Sequence, residues 1–251
     1  MTNATAADPR VAAIVPAYNE GETLAAVLTV LKSVPLIHEV LVVSDGSTDD
    51  TVAIARSMGL RTIHLRTNHG KGKAMAVGVD HTDAPVLVFV DGDILNLTAS
   101  MLSQLIEPVL SGGSDMNVGI RHRGELVDAI HRRVGPLLSG IRCLRREVFA
   151  AVPESHIEGF AIETGLNWAC RQIGGRITTT VLHGLKHLVK EKKRGLARGM
   201  YARFEMFGVV FAAWLDLQVK RPDPRSAAVP NPTVRPAVQA AVQPELEYIN
   251  F

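Results

Sequence analysis

The sequence predicts an α/β protein whose mostly parallel sheet is covered by helices on both faces. Three observations predict it. Apolar runs at residues 11–16, 39–44, 61–65 and 86–90 lack polar alternation, as strands buried on both faces do. Between the first two, Leu24, Val27, Leu28 and Leu31 recur at helical spacing. The unusual polar residues all follow the ends of these runs, where sheets of this class bind their ligands.

The elements follow in order. Residues 11–16 form a strand that ends at Pro16, and the helix carrying Leu24 to Leu31 follows. Residues 39–44 form the second strand. Ser47 and Asp50 give a Ser-x-x-Asp start signal for a helix running to about Met58. Residues 61–65 form a third strand, 73–79 a helix and 86–90 a fourth strand. Thr98 is placed to cap a helix that reaches Leu110. Beyond it, 115–120 and 139–144 read as strands, 162–171 as a helix and 176–181 as a strand. Residues 188–219 read as one or two C-terminal helices, with Gly195 and Gly208 as weak points. From residue 221 onward, six of the chain's 13 prolines fall in the last 31 residues, which predicts a disordered or extended tail. The expected organisation is one domain over 1–220, in two halves at about 8–115 and about 116–220. The tail covers 221–251.

Composition excludes several classes. At 251 residues and 47% hydrophobic content, the chain can bury a substantial core without disulfides or structural metal. With 27 basic against 25 acidic residues, the formal charge of +2 does not suit a globally basic nucleic-acid binder. Cys143 and Cys170 lack CxxC spacing and read as reduced buried thiols. Residues 1–10 are polar, without the apolar centre of a secretory leader. The run at 206–215 is half the roughly 20 residues a membrane span needs. A cytoplasmic protein is expected, with peripheral membrane contact left open.

Asp91-Gly92-Asp93 directly follows the apolar strand at 86–90. Two carboxylates one residue apart can share a hard cation such as Mg²⁺ or Mn²⁺. The same residues also suit a solvated acidic turn. Asp45 follows the second strand, where a carboxylate can accept from base or ribose donors. Ser47 and Asp50 are accounted for by helix capping, Asp45 is not. Gly70-Lys71-Gly72 can bring backbone N–H groups and an ammonium to a phosphate, or form a flexible turn. Neither a Walker A loop nor a Gly-x-Gly-x-x-Gly fingerprint is present.

Taken together, Pro16-Ala17-Tyr18-Asn19-Glu20, the Asp45 segment, Gly70-Lys71-Gly72 and Asp91-Gly92-Asp93 resemble family 2 glycosyltransferases of the GT-A (Rossmann-like) fold. The resemblance implies a metal-bound nucleoside-diphosphate sugar, UDP- or GDP-linked. It places Pro16, Ala17, Tyr18, Glu20 and Asp45 around the base and ribose. It places Lys71 beside the donor, and Asp91, Gly92 and Asp93 at the diphosphate and metal. Ser139-Gly140-Ile141-Arg142 resembles a stretch of the polyprenyl-phosphate sugar synthases, with Ile141 where an aromatic is usual. That implies acceptor contacts from Ser139, Gly140 and Arg142. Residues 159–166 followed by Gly184-Leu185-Lys186-His187 resemble glucosyl-3-phosphoglycerate synthases. That likeness makes His187 a third metal ligand, with His183 second in line. His183 and His187 lack the glutamate of a zinc protease motif.

Glu163 is the candidate general base and acceptor contact, or a structural carboxylate that orients the acceptor loop. Asp93, Glu163 and Lys71 make up the expected catalytic set. Arg121, Arg123, Arg132 and Arg133 suit phosphate recognition or a solvated face. Lys186, Lys190, Lys192, Lys193, Arg194, Arg198 and Arg203 precede Met206, Phe207, Val209, Val210, Phe211 and Trp214. Such a segment, 186–215, suits an anionic membrane surface, a helix packed on the core or a homodimer contact. The expected acceptor is a polyprenyl phosphate or a small phosphorylated or hydroxylated molecule. The competing readings are a nucleotide-sugar binding module without transfer, and a sugar-phosphate nucleotidyltransferase. The latter lacks its Gly-rich N-terminal loop here, because Pro16-Ala17-Tyr18-Asn19-Glu20 occupies that place.

Overall fold

The computed structural model describes residues 10–122, 139–157, 161–187 and 246–247. The strands are β1 (Val11–Ala17), β2 (Glu39–Asp45), β3 (Arg61–Leu65), β4 (Val86–Phe89), β5 (Ile94–Leu95), β6 (Met116–Arg121), β7 (Arg142–Arg145), β8 (Ile177–Leu182), β9 (Lys186–His187) and β10 (Leu246–Glu247). The helices are α1 (Leu24–Ser33), α2 (Thr51–Ser57), α3 (Lys71–Asp80), α4 (Ala99–Leu110), α5 (Arg146–Ala150) and α6 (Ala161–Gln172), with a 3₁₀ turn at Glu154–His156.

Eight strands form one sheet in the order β10-β3-β2-β1-β4-β7-β6-β8. β1 to β4 are mutually parallel, and β6 runs parallel to β8. β7 enters antiparallel between β4 and β6, and so joins the two halves into one sheet. β10, the described part of the tail, pairs antiparallel with β3. β5 and β9 form a separate two-stranded ribbon. The strand expected at 139–144 is β7, but neither its antiparallel insertion nor this ribbon is visible in hydrophobic periodicity.

Every residue of β1 is buried, as expected for a strand with both faces covered. Ala12 and Ile14 face one core with Leu87 and Phe89 of β4. Helices α3, α5 and α6 close that core, and Phe89 stacks on Phe149 at 5.7 Å. Val11, Ala13 and Val15 face the other core with Val86 and Val88, closed by α1, α2 and α4. The chain runs from β1 outward to β3 with α1 and α2 on one face. It then crosses by α3 on the opposite face to β4, on the other side of β1. That reversal opens a crevice at the carboxyl ends of β1 and β4.

Two local expectations are corrected. The third helix begins at Lys71, so the glycine–lysine segment is its first turn rather than a free loop. The second helix begins at Thr51 with no side-chain cap from Asp50. Ser47 is recruited by a neighbouring loop instead. Thr98 does cap α4, accepting from the Met101 N–H at 3.3 Å. The expected C-terminal helices at 188–219 and nearly all of the tail lie outside the described residues, and no helix among the described ones is long and apolar enough to cross a membrane.

Candidate active site

The loops after β1 and β2 are fastened to each other. The Asn19 N–H donates to Ser47 Oγ at 3.1 Å, and Asn19 Oδ1 accepts from the Thr48 N–H at 2.8 Å. The Glu20 N–H donates to Thr51 Oγ1, and the Gly21 N–H to Asp49 Oδ2. Asp49 Oδ1 accepts from both the N–H and the hydroxyl of Thr51. Burial raises the Asp49 carboxyl, but these hydrogen bonds from Thr51 and Gly21 outweigh it and hold the group below its ordinary value. Helix capping is the role expected for Ser47 and Asp50 of this run. Here the run spaces the two loops that frame the crevice, with Tyr18 exposed at the edge.

Asp45, at the end of β2, is 3% exposed. Its two oxygens accept from the His69 and Gly70 N–H groups, both at 2.8 Å. Asn68 Nδ2 donates to its carbonyl at 3.2 Å. Asp45 therefore ties down the chain entering α3, whose N-cap Gly70 has a φ of 89°. A carboxylate there also complements the positive end of the helix. Pro16 and Ala17 are buried at the end of β1. Glu20 packs across Gly92, and the Thr23 hydroxyl, which sequence reading missed, donates to the Gly92 carbonyl at 2.7 Å. The β1 loop thus supports the acidic turn from beneath.

The centre of the site is an ion bridge. Lys71 Nζ lies 2.8 Å from Asp91 Oδ1 and 2.9 Å from Glu163 Oε1. The three side chains are 17%, 21% and 10% exposed. Burial alone would lower the Lys71 ammonium, but Asp91 and Glu163 outweigh it and push the group well above its ordinary value. Lys71 comes from the first turn of α3, Asp91 from the end of β4 and Glu163 from the first turn of α6, so the bridge spans both halves of the sequence. Gly72 explains how these elements meet. A methyl group at its α-carbon would overlap the Ile157 carbonyl, so this glycine permits the close backbone approach of α3 to Ile157.

Arg142 departs from expectation. It is completely buried and presents no surface to an acceptor. Its Nη2 and Nε donate to the Ser139 carbonyl at 2.7 and 3.0 Å, and Nη1 donates to the Glu163 carbonyl at 3.3 Å. Burial pushes the guanidinium down from its usual value, against the pull of Glu163 and Asp91. It is a cation beneath the bridge that fixes the Ser139–Gly140 turn. Gly140 is buried and faces Asp91, where any side chain would collide with the carboxylate. Ser139 Oγ donates to the Gly119 carbonyl at 2.5 Å and receives the Ile141 N–H at 3.3 Å.

Asp93 sits half-buried in the turn between β4 and β5. The ribbon register pairs Ile94 with His187, so the backbone of His187 lies opposite the residue that follows Asp93. No three acidic, histidine or cysteine side chains among the described residues already converge as a metal cluster. The His183 ring lies tilted against that of His122, with ring centroids 4.6 Å apart. Arg121 is exposed at the end of β6, while Arg123, Arg132 and Arg133 lie outside the described residues, as do the basic and apolar positions from 188 to 215.

Comparison with known proteins fits this geometry. Residues 12–150 match the model of the family described as Glycosyl transferase family 2. The glycosyltransferase AglJ of Haloferax volcanii is 32% identical over 189 residues, covering 67% of this chain and 60% of that protein. The dodecaprenyl-phosphate galacturonate synthase of Rhizobium johnstonii is 27% identical over 180 residues, covering 68% and 44%. The chain thus spans three fifths or less of the length of these curated relatives. A crystal structure of glucosyl-3-phosphoglycerate synthase from Mycobacterium tuberculosis, in complex with Mn²⁺, UDP-glucose and phosphoglyceric acid, superposes with a TM-score of 0.69. The identity is 25%, over 83% of this chain and 79% of that one. The fold is the GT-A fold expected from the sequence.

Proposed function

This chain belongs to glycosyl transferase family 2, and from that premise we propose that it moves a hexosyl group from a nucleoside-diphosphate sugar to a phosphate-bearing acceptor. The observation that carries this reading is the Lys71 bridge between Asp91 and Glu163, set in the crevice at the carboxyl end of β4. It puts a partly buried cation and two carboxylates where the two halves of the fold meet.

The donor side is formed by Pro16, Ala17, Tyr18 and Glu20, with Asp45 holding the loop into α3. The solved relative bound to UDP-glucose favours a UDP-linked donor. Asp91 and Asp93 supply hard oxygens and His187 an imidazole, a set that fits Mg²⁺ or Mn²⁺. The register of β5 with β9 puts the His187 backbone beside this turn, which supports the assignment. When bound there, the cation would neutralise charge on the departing diphosphate. Lys71 offers a second positive charge to the same oxygens, from a flexible stem.

In the transfer, the bond from the sugar's anomeric carbon to the diphosphate oxygen breaks, and an acceptor oxygen forms the new bond. Glu163 faces this point from α6. For a hydroxyl nucleophile it takes the proton, a contribution of about 10²- to 10⁴-fold. A phosphate oxygen brings no proton to remove, and there Glu163 orients. Two acceptor sources share the phosphate group. The solved relative was crystallised with phosphoglyceric acid, and the Rhizobium relative is named for a dodecaprenyl phosphate. A lipid acceptor would also call on the 186–215 segment at a membrane surface.

The test is product analysis by mass spectrometry. UDP-glucose and GDP-mannose are each incubated with Mn²⁺ and either 3-phosphoglycerate or polyprenyl phosphate in vesicles. A glycosylated product with one acceptor is expected, with Glu163→Gln far slower if that acceptor reacts through a hydroxyl. Tight donor binding without transfer or slow donor hydrolysis would instead indicate a binding module.

A further inference from the structure

The bridge has a property that the donor reading alone does not require. Lys71 is committed to Asp91 and Glu163 at 2.8 and 2.9 Å, the two groups it would leave to meet a diphosphate. The elements around the bridge are held by close contacts. Gly72 lies against the Ile157 carbonyl, Gly140 against Asp91, and Arg142 holds the Ser139 and Glu163 carbonyls. The part able to move is the Lys71 stem, with four carbons and rotatable bonds. Arg142 stays beneath Asp91 and Glu163 whichever way Lys71 points, so the carboxylates keep one buried counter-charge after it leaves.

On the premise of the donor site above, we propose that Lys71 is an exchangeable latch: donor diphosphate draws it off the carboxylates, releasing Asp91 toward the cation and Glu163 toward the acceptor. Donor binding thereby prepares the acceptor side, and Glu163 competes with the diphosphate for one ammonium. The consequence runs against intuition for an active-site residue. Removing the Glu163 charge should tighten nucleotide binding while slowing transfer.

Calorimetry of UDP binding in the presence of Mn²⁺ tests this in a double-mutant cycle. Glu163→Gln is expected to bind UDP about 5- to 20-fold more tightly than the wild type, and the same change made in Lys71→Met to alter affinity less than about twofold. Equal tightening in both backgrounds would mean a general charge effect and overturn the latch. Unchanged or weaker binding by Glu163→Gln would do the same. A wild type that binds no nucleotide at all would remove the donor reading and the latch together. A readout that needs no nucleotide is Mn²⁺ titration followed by electron paramagnetic resonance. Lys71→Met should take up Mn²⁺ more tightly than the wild type because Asp91 is released, and no gain would count against the latch.

Discussion

Gly140 lies flat against the carboxylate of Asp91, although the two are far apart in sequence. A methyl group on its α-carbon would overlap Asp91 Oδ2, and Arg142 prevents retreat by clamping the Ser139 carbonyl. Gly140→Ala must therefore displace either the turn or the carboxylate. Overpacking of this kind costs about 1–3 kcal/mol. We expect a modest fall in Tm, and a fall in Mn²⁺-dependent nucleotide affinity of about tenfold or more, since roughly 1.4 kcal/mol lost at the site is tenfold. Calorimetry beside a melting curve separates the two effects. An affinity that follows only the change in folding would remove Gly140 from the site.

Gly72→Ala strikes backbone rather than side chain. The Ile157 carbonyl cannot swing aside as a flexible side chain does. A loss of about 1–3 kcal/mol is expected, or roughly 2–12 °C in Tm at about 2–4 °C per kcal/mol for a chain of this size. A variant as stable as the wild type would show that the α3–Ile157 approach is not needed for folding.

Asp45→Ala leaves the His69 and Gly70 N–H groups without the buried carboxylate that both now use. Hydrogen bonds to charged groups contribute about 1.5–3 kcal/mol each, so a loss of about 3–6 kcal/mol is expected for the two. Asp45→Asn keeps one acceptor and should recover about half. Denaturant unfolding measures both, and equal losses would refute the two-oxygen role.

Asp49 gives a pH dependence with a definite sign. Its folded value is depressed, so the stabilisation is present above the unfolded value of about 3.9 and is lost as pH falls through the lower folded value. Asp49 is exposed, so solvent screening keeps the effect to about 1 kcal/mol or less. The difference in stability between wild type and Asp49→Asn should shrink as pH is lowered from 6 to 3. A constant difference would place the effect elsewhere than in the charge.

What the sequence made legible was local. Four buried strands and their polar termini follow from contiguous runs, and β1 to β4 lie where those runs predict. Lys71, Asp91 and Glu163 were each singled out by residue type and neighbours. Their meeting in one bridge was not, because it depends on α6 folding back against α3. Arg142 is expected at the acceptor from the likeness of its Ser139–Arg142 stretch, and nothing in that stretch signals that β7 will be inserted between β4 and β6 and bury it. Ser47 read as a helix cap because its partner, the Asn19 N–H, is brought to it only when β1 and β2 pair. Each miss is a long-range contact overriding a local preference.

The central claim is a metal-dependent nucleotide site at the Asp91–Asp93 turn. The direct test is a thermal-shift panel of UDP, GDP and their glucose and mannose conjugates, each with and without Mn²⁺. The wild type is set beside the double variant Asp91→Asn, Asp93→Asn. Ligand at about 100 times its Kd contributes about 2.7 kcal/mol, or roughly 5–10 °C in Tm. The account predicts a rise of that size with one base, dependent on Mn²⁺ and absent from the double variant. No rise with any nucleotide in a folded wild-type sample, or an equal rise in the variant, would contradict it.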